Sequence, residues 1–121
     1  LVRKMGVIRY PGDLYYNADR SSPFGNEAQW PLGFAWLSIV FSQLAIKGLK
    51  ADSAFYPPLD YIHKAETYLR KAESVMTAEG LMPELYTDGV PNYNVPLAWA
   101  QSFYIVARQN LNRAYEKLRL G

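Results

Sequence analysis

At 121 residues the chain is long enough for one domain with a modest core and too short for two. Half of it is hydrophobic, a fifth is charged and the net charge is +2, with lysines and arginines dispersed rather than clustered, so nucleic acid is not an expected partner. The absence of cysteine excludes a disulfide framework, a thiol nucleophile and a thiolate zinc site, and fits a reducing, cytoplasmic setting.

Residues 1–26 show little helical periodicity. Val7-Ile8-Arg9-Tyr10 reads as a short extended piece and Pro11-Gly12-Asp13 as a turn. Tyr15-Tyr16-Asn17 follows, then a second loop, Ser21-Ser22-Pro23-Phe24-Gly25-Asn26. Such a long, aromatic, irregular segment suits a functional loop. A first helix is expected from about residue 26 or 27 to 47. Phe34, Trp36, Leu37, Ile39, Val40, Phe41 and Leu44 make it apolar on nearly every side, so other elements must enclose it. The uncharged run 28–46 approaches the length of a bilayer span. It carries Gln29, Pro31 and Gln43 and has no flanking basic cluster, so a buried helix is expected and a membrane partner is not.

A linker over 49–58 precedes a second helix expected over 59–79. Leu59, Ile62, Ala65, Leu69, Ala72 and Met76 form a single stripe there, opposite a wet face. Gly80 is placed to stop it, and Asp88-Gly89 is a turn dipeptide. A third helix should start near Leu97, with Pro96 in its first turn, and run to about Leu118, apolar all round in its first half. Buried, half-exposed, buried is the order of a two-layer helical ring. One helix up and one back would bring the loops before the first and third helices to the same end. Three helices cannot close such a ring, so the chain is expected to be part of a larger domain or to self-associate.

Between the second and third helices lies Gly80-Leu81-Met82-Pro83-Glu84-Leu85, where Pro83 fixes the backbone around one carboxylate. Taken alone, Glu84 reads as a solvated loop residue. Three stretches together resemble glucoamylase-type glycoside hydrolases (glycoside hydrolase family fifteen). Arg9-Tyr10-Pro11-Gly12-Asp13-Leu14-Tyr15-Tyr16-Asn17 is similar to that family's Arg-Tyr-Pro-x-Asp-x-Tyr-Tyr element, and Gly80-Leu81-Met82-Pro83-Glu84 to its Gly-Leu-Leu-Pro-Glu-Gln loop. Val95-Pro96-Leu97-Ala98-Trp99 resembles the Thr-Pro-Leu-Thr-Trp that opens its last inner helix. Order and spacing agree, over nearly the whole chain.

The resemblance implies an all-α fold: the C-terminal part of an (α/α)6 toroid, with inner, outer and inner helices after a long N-terminal loop segment. It also implies hydrolysis of a glucose-containing oligosaccharide or disaccharide with inversion. Inversion needs a carboxylic acid and a carboxylate about 6.5–9.5 Å apart with a water between. By the same resemblance Glu84 takes the role of general base, which needs an ionised carboxylate. Arg9 takes that of a sugar-binding guanidinium, with Asp13 orienting its loop and Tyr10, Tyr15 and Trp99 near the pocket. No metal or other cofactor is implied.

The chain departs from the family at Leu85, where the family has glutamine, and at Tyr93, where a serine is expected shortly before the Val95-Pro96-Leu97-Ala98-Trp99 element. Residues 18–25 form an apparent insertion. No residue matches the family's general acid, and Asp13, Asp19, Glu27 and Asp88 carry no pattern that would raise a carboxyl pKa. His63, the only histidine, has no second ligand within reach by spacing. Two readings stand: the base-bearing part of such a hydrolase, inactive as an isolated chain, or a non-catalytic carbohydrate- or protein-binding helical module.

Overall fold

A computed structural model describes residues 1–15, 27–49 and 57–120. The expectations concerning Tyr16, Asn17, residues 18–26 and most of the 49–58 linker therefore lie outside the described residues. Three helices dominate: α1 (Leu32–Gly48), α2 (Pro58–Ser74) and α3 (Ala98–Leu120). A two-stranded antiparallel hairpin, β1 (Tyr86–Thr87) and β2 (Val90–Pro91), interrupts them, so the chain is mostly helical rather than all-α.

The hairpin follows from Asp88-Gly89. Both residues hold positive φ, 51° and 76°, the pairing a two-residue hairpin turn needs and which aspartate and glycine tolerate.

Helix α1 begins later than expected because residues 28–30 are engaged in extended pairing. Ala28 N–H donates to Asp13 O (2.6 Å), Gln29 exchanges backbone hydrogen bonds with Tyr86, and Trp30 does so with Val7. Pro31, with no N–H to contribute, then enters the helix. Helix α2 opens on Pro58, where a missing donor costs nothing, and ends at Ser74 rather than near 79. The Tyr86 hydroxyl donates to Val75 O (2.6 Å), taking the carbonyl a further helical turn would use. Thr77 N–H turns to Leu81 O instead. Gly80, with φ of 76°, serves this turn and not the helix end. Pro96 lies just outside α3.

Helix α1 packs against both α2 and α3, which touch each other less. Phe34 meets Tyr68 and Phe41 meets Tyr61, so α1 and α2 are antiparallel. Trp36 meets Trp99 and Phe103 while Gln43 bonds Asn110 further along, so α1 and α3 are parallel. Ala35, Ala45, Ala65 and Ala107 are fully buried at these contacts, and such small side chains let helix backbones approach closely. Ser38 Oγ donates to Ala65 O (2.8 Å), tying α1 to α2. A second cluster, around Leu32, Phe34, Val75, Met82 and Tyr86, fills the end where the loops gather. Not all of α1 is enclosed: Trp36, Val40 and Leu44 stay exposed on the side away from α2. Among the described residues, no helix is long and apolar enough to cross a membrane.

Candidate functional site

The loops before α1 and α3 lie at one end of the molecule, joined by backbone hydrogen bonds. Val7 pairs with Trp30, Gln29 with Tyr86, and Met82 O accepts from Leu97 N–H (2.9 Å). Gln101 of α3 adds a side-chain clamp, its Oε1 accepting from Met82 N–H (2.8 Å). Arg9, Glu84 and Trp99 thus stand on three segments that brace one another at the N-termini of α1 and α3 and the C-terminus of α2.

Arg9 is held by Asp13. Its Nε and Nη2 each donate to one carboxylate oxygen at 2.7 Å, a bidentate pair within one turn of chain. Asp13 is fully buried and also accepts from Trp30 Nε1 (3.2 Å) and the Tyr15 backbone N–H (3.2 Å). Burial alone would push the Asp13 carboxyl up. The Arg9 guanidinium, with the Tyr15 and Trp30 donors, outweighs this and holds it below the usual carboxylate range. Three aromatic rings frame the guanidinium, with centroids 4.8 Å (Tyr15), 4.8 Å (Trp30) and 5.6 Å (Tyr10) away. Glu27 secures the turn from outside, accepting from Gly12 N–H (2.9 Å) and from Arg3 Nε (2.8 Å).

Two hollows flank this arginine. A cleft of about 370 Å³ is walled by Arg9, Trp30, Trp36 and Trp99 over a floor of Val7, Ile8, Leu32 and Gly33. Trp36 and Trp99 meet edge to face, 6.0 Å between centroids. The second hollow, about 400 Å³, is lined by Arg9, Tyr10, Gly12, Leu14 and Tyr15. Exposed aromatic faces beside a planar cation suit a ligand with an apolar face and a hydroxylated edge.

Glu84 lies in the lining of neither hollow and is half-buried. One carboxylate oxygen, Oε2, accepts from both Asn92 Nδ2 (2.7 Å) and Asn94 Nδ2 (2.5 Å). Glu84 N–H donates to Asn94 O (3.1 Å) and Asn92 N–H to Leu85 O (3.0 Å), so the segment leaving the hairpin is laced to the loop. The structure thus gathers Arg9, Tyr10, Asp13 and Tyr15 tightly, adds Trp99 across the cleft from Arg9, and sets Glu84 on the neighbouring segment.

Four participants escaped the sequence reading: Trp30, Trp36, Asn92 and Asn94. The asparagines carried only a faint signal, because they lie beyond β2 in a bent segment where strand alternation does not apply. The tryptophans carried none, because an indole in a helical stripe reads as core. Among the described residues, no group of three or more histidine, aspartate or glutamate side chains is arranged to hold a metal. Comparison with protein families, curated proteins and solved structures yields no match.

Proposed function

We propose that this chain is the C-terminal part of an inverting, exo-acting α-glucoside hydrolase of (α/α)6 type. Glu84 is its general base, and Arg9 with Trp99 are its sugar-binding residues. The observation that carries the reading is the mutual bracing of the three stretches that resemble the family. The Arg9 turn, the Glu84 loop and the start of α3 are hydrogen-bonded into one end of the fold. The parallel α1 and α3 with antiparallel α2 against α1 also suit a segment of a two-layer helical ring. In this reading further ring elements pack on the bare side of α1.

Asp13 occupies Nε and Nη2 of Arg9, so sugar hydroxyls would meet the Nη1 side while a pyranose face lies against Trp99 or Trp36. Asn92 and Asn94 hold Oε2 of Glu84, which leaves Oε1 to orient the attacking water. The proton donor for the leaving oxygen comes from elsewhere in the assembled enzyme, so the isolated chain binds sugar without turning it over.

Calorimetric titration of glucose, maltose, trehalose and acarbose into the purified chain tests this. Binding is expected, weakened at least about tenfold by Trp99→Ala and kept by Glu84→Gln. Absence of binding by all four sugars would refute the sugar site. Turnover of maltose or trehalose that Glu84→Gln abolishes would refute the need for an external acid. Leu85 in place of the family's glutamine favours the second reading, a non-catalytic carbohydrate- or protein-binding module. Adding the upstream part of the ring without gain of hydrolysis would establish that module instead.

A further inference from the structure

The cleft beside Arg9 can donate hydrogen bonds but has little with which to accept them. Among the described residues that line it, no side chain carries an acceptor. Its polar side-chain groups are the Arg9 guanidinium and three indole N–H donors, of which Trp30 Nε1 already serves Asp13. Two carbonyls at the floor are also taken. Val7 O accepts from Trp30 N–H (3.0 Å), and Trp30 O accepts from Val7 N–H (3.0 Å) and Gly33 N–H (3.1 Å). A Cβ at Gly33 would lie 2.5 Å from Val7 Cβ, so these two segments press together and form a smooth apolar floor. Every sugar hydroxyl carries a proton that needs an acceptor, and a hydroxyl buried without one weakens binding. One pyranose meets this demand by turning its hydroxylated edge to the exposed Arg9 and to water at the mouth. A second pyranose laid on the floor does not.

We propose that the substrate of this site is an aryl α-glucoside, whose aromatic leaving group, rather than a second sugar, lies on the floor of Val7 and Gly33. The inference rests on the sugar-site reading above and narrows it. Trp36 and Trp99 meet at 82°, so they offer two flat faces at nearly a right angle. A pyranose against Trp99, beside Arg9, leaves Trp36 for a second ring in a different plane. An α linkage leaves the pyranose axially, so its aglycone stands across the sugar plane instead of in it, as that corner requires. Size agrees. At about 370 Å³ the cleft is at the small end of ligand pockets and suits one sugar with one aromatic ring.

Calorimetric titration of the full chain with methyl α-glucoside, phenyl α-glucoside and maltose tests it. Phenyl α-glucoside is expected to bind at least about tenfold more tightly than methyl α-glucoside, through burial of one aromatic ring. Maltose is expected within about threefold of methyl α-glucoside, because its second sugar finds no acceptors on the floor. Trp36→Ala should erase the phenyl advantage and keep the affinity for methyl α-glucoside, which also reports that the variant is folded. If that variant does not fold, the three affinities of the parent chain decide alone. Equal affinity for the phenyl and methyl glucosides, or maltose binding as tightly as phenyl α-glucoside, would overturn the proposal and leave the sugar site standing. So would a phenyl advantage that survives Trp36→Ala. Binding of none of the three would refute the sugar site itself, and the substrate assignment with it.

Discussion

Two carboxylates mark the candidate site, and their surroundings are opposite. Asp13 is fully buried, faces a guanidinium and accepts four hydrogen bonds. Glu84 is half exposed and meets only neutral amides, both on one of its oxygens. The difference teaches how much hydrogen-bonding capacity each has left. A carboxylate enclosed by donors and a paired cation has no capacity left for a ligand, so Asp13 builds the corner that holds Arg9. A carboxylate anchored by one oxygen keeps the other able to accept a hydrogen bond from a ligand or water. The resemblance already implies an orienting role for Asp13 and a different one for Glu84; the structure adds that every oxygen of Asp13 is engaged while Oε1 of Glu84 is not.

The contrast is broken most severely at Asp13. Asp13→Ala removes the acceptor for Arg9, Trp30 and Tyr15 together and is expected to cost about 3 kcal/mol or more in urea denaturation. Gly6→Ala should follow at about 2 kcal/mol, because a Cβ there would lie 2.4 Å from the Trp30 carbonyl carbon and push apart the pairing that supports the corner. On the hairpin side the effects shrink. Tyr86→Phe loses its buried hydrogen bond to Val75 O and should cost about 1 kcal/mol. Glu84→Gln keeps an acceptor for the asparagines and should change stability by less than about 0.5 kcal/mol. A loss at Glu84→Gln as large as at Asp13→Ala would erase the distinction between the two.

Acid titration sharpens the same comparison. The folded-state pKa of Asp13 lies below its ordinary value of 3.8, so the stability it contributes is complete above that value. It is lost as the pH falls through the lower folded-state value. In Asp13→Asn this acid-side loss, followed by circular dichroism below about pH 4, is expected to flatten. An unchanged acid profile would show that the Arg9 pair contributes nothing to the pH dependence.

The amino-acid order determined the presence of the three helices, the wet face of α2, the turn at residues 11–13 and the meeting of the two motif loops at one end. Hydrophobic period and turn chemistry are local properties, and alternation of up and down helices follows from chain continuity. Only the tertiary structure decided the helix limits, because Trp30, Gln29 and the Val75 carbonyl find partners distant in sequence that outcompete another helical turn. It alone converted Asp88-Gly89 from a turn into a hairpin, set two asparagines against Glu84, and turned Trp36 from an apparent core residue into a cleft wall. Each of these rests on a contact between segments far apart in the chain, and the pattern of neighbouring residues carries no information about such a contact until the helices pack.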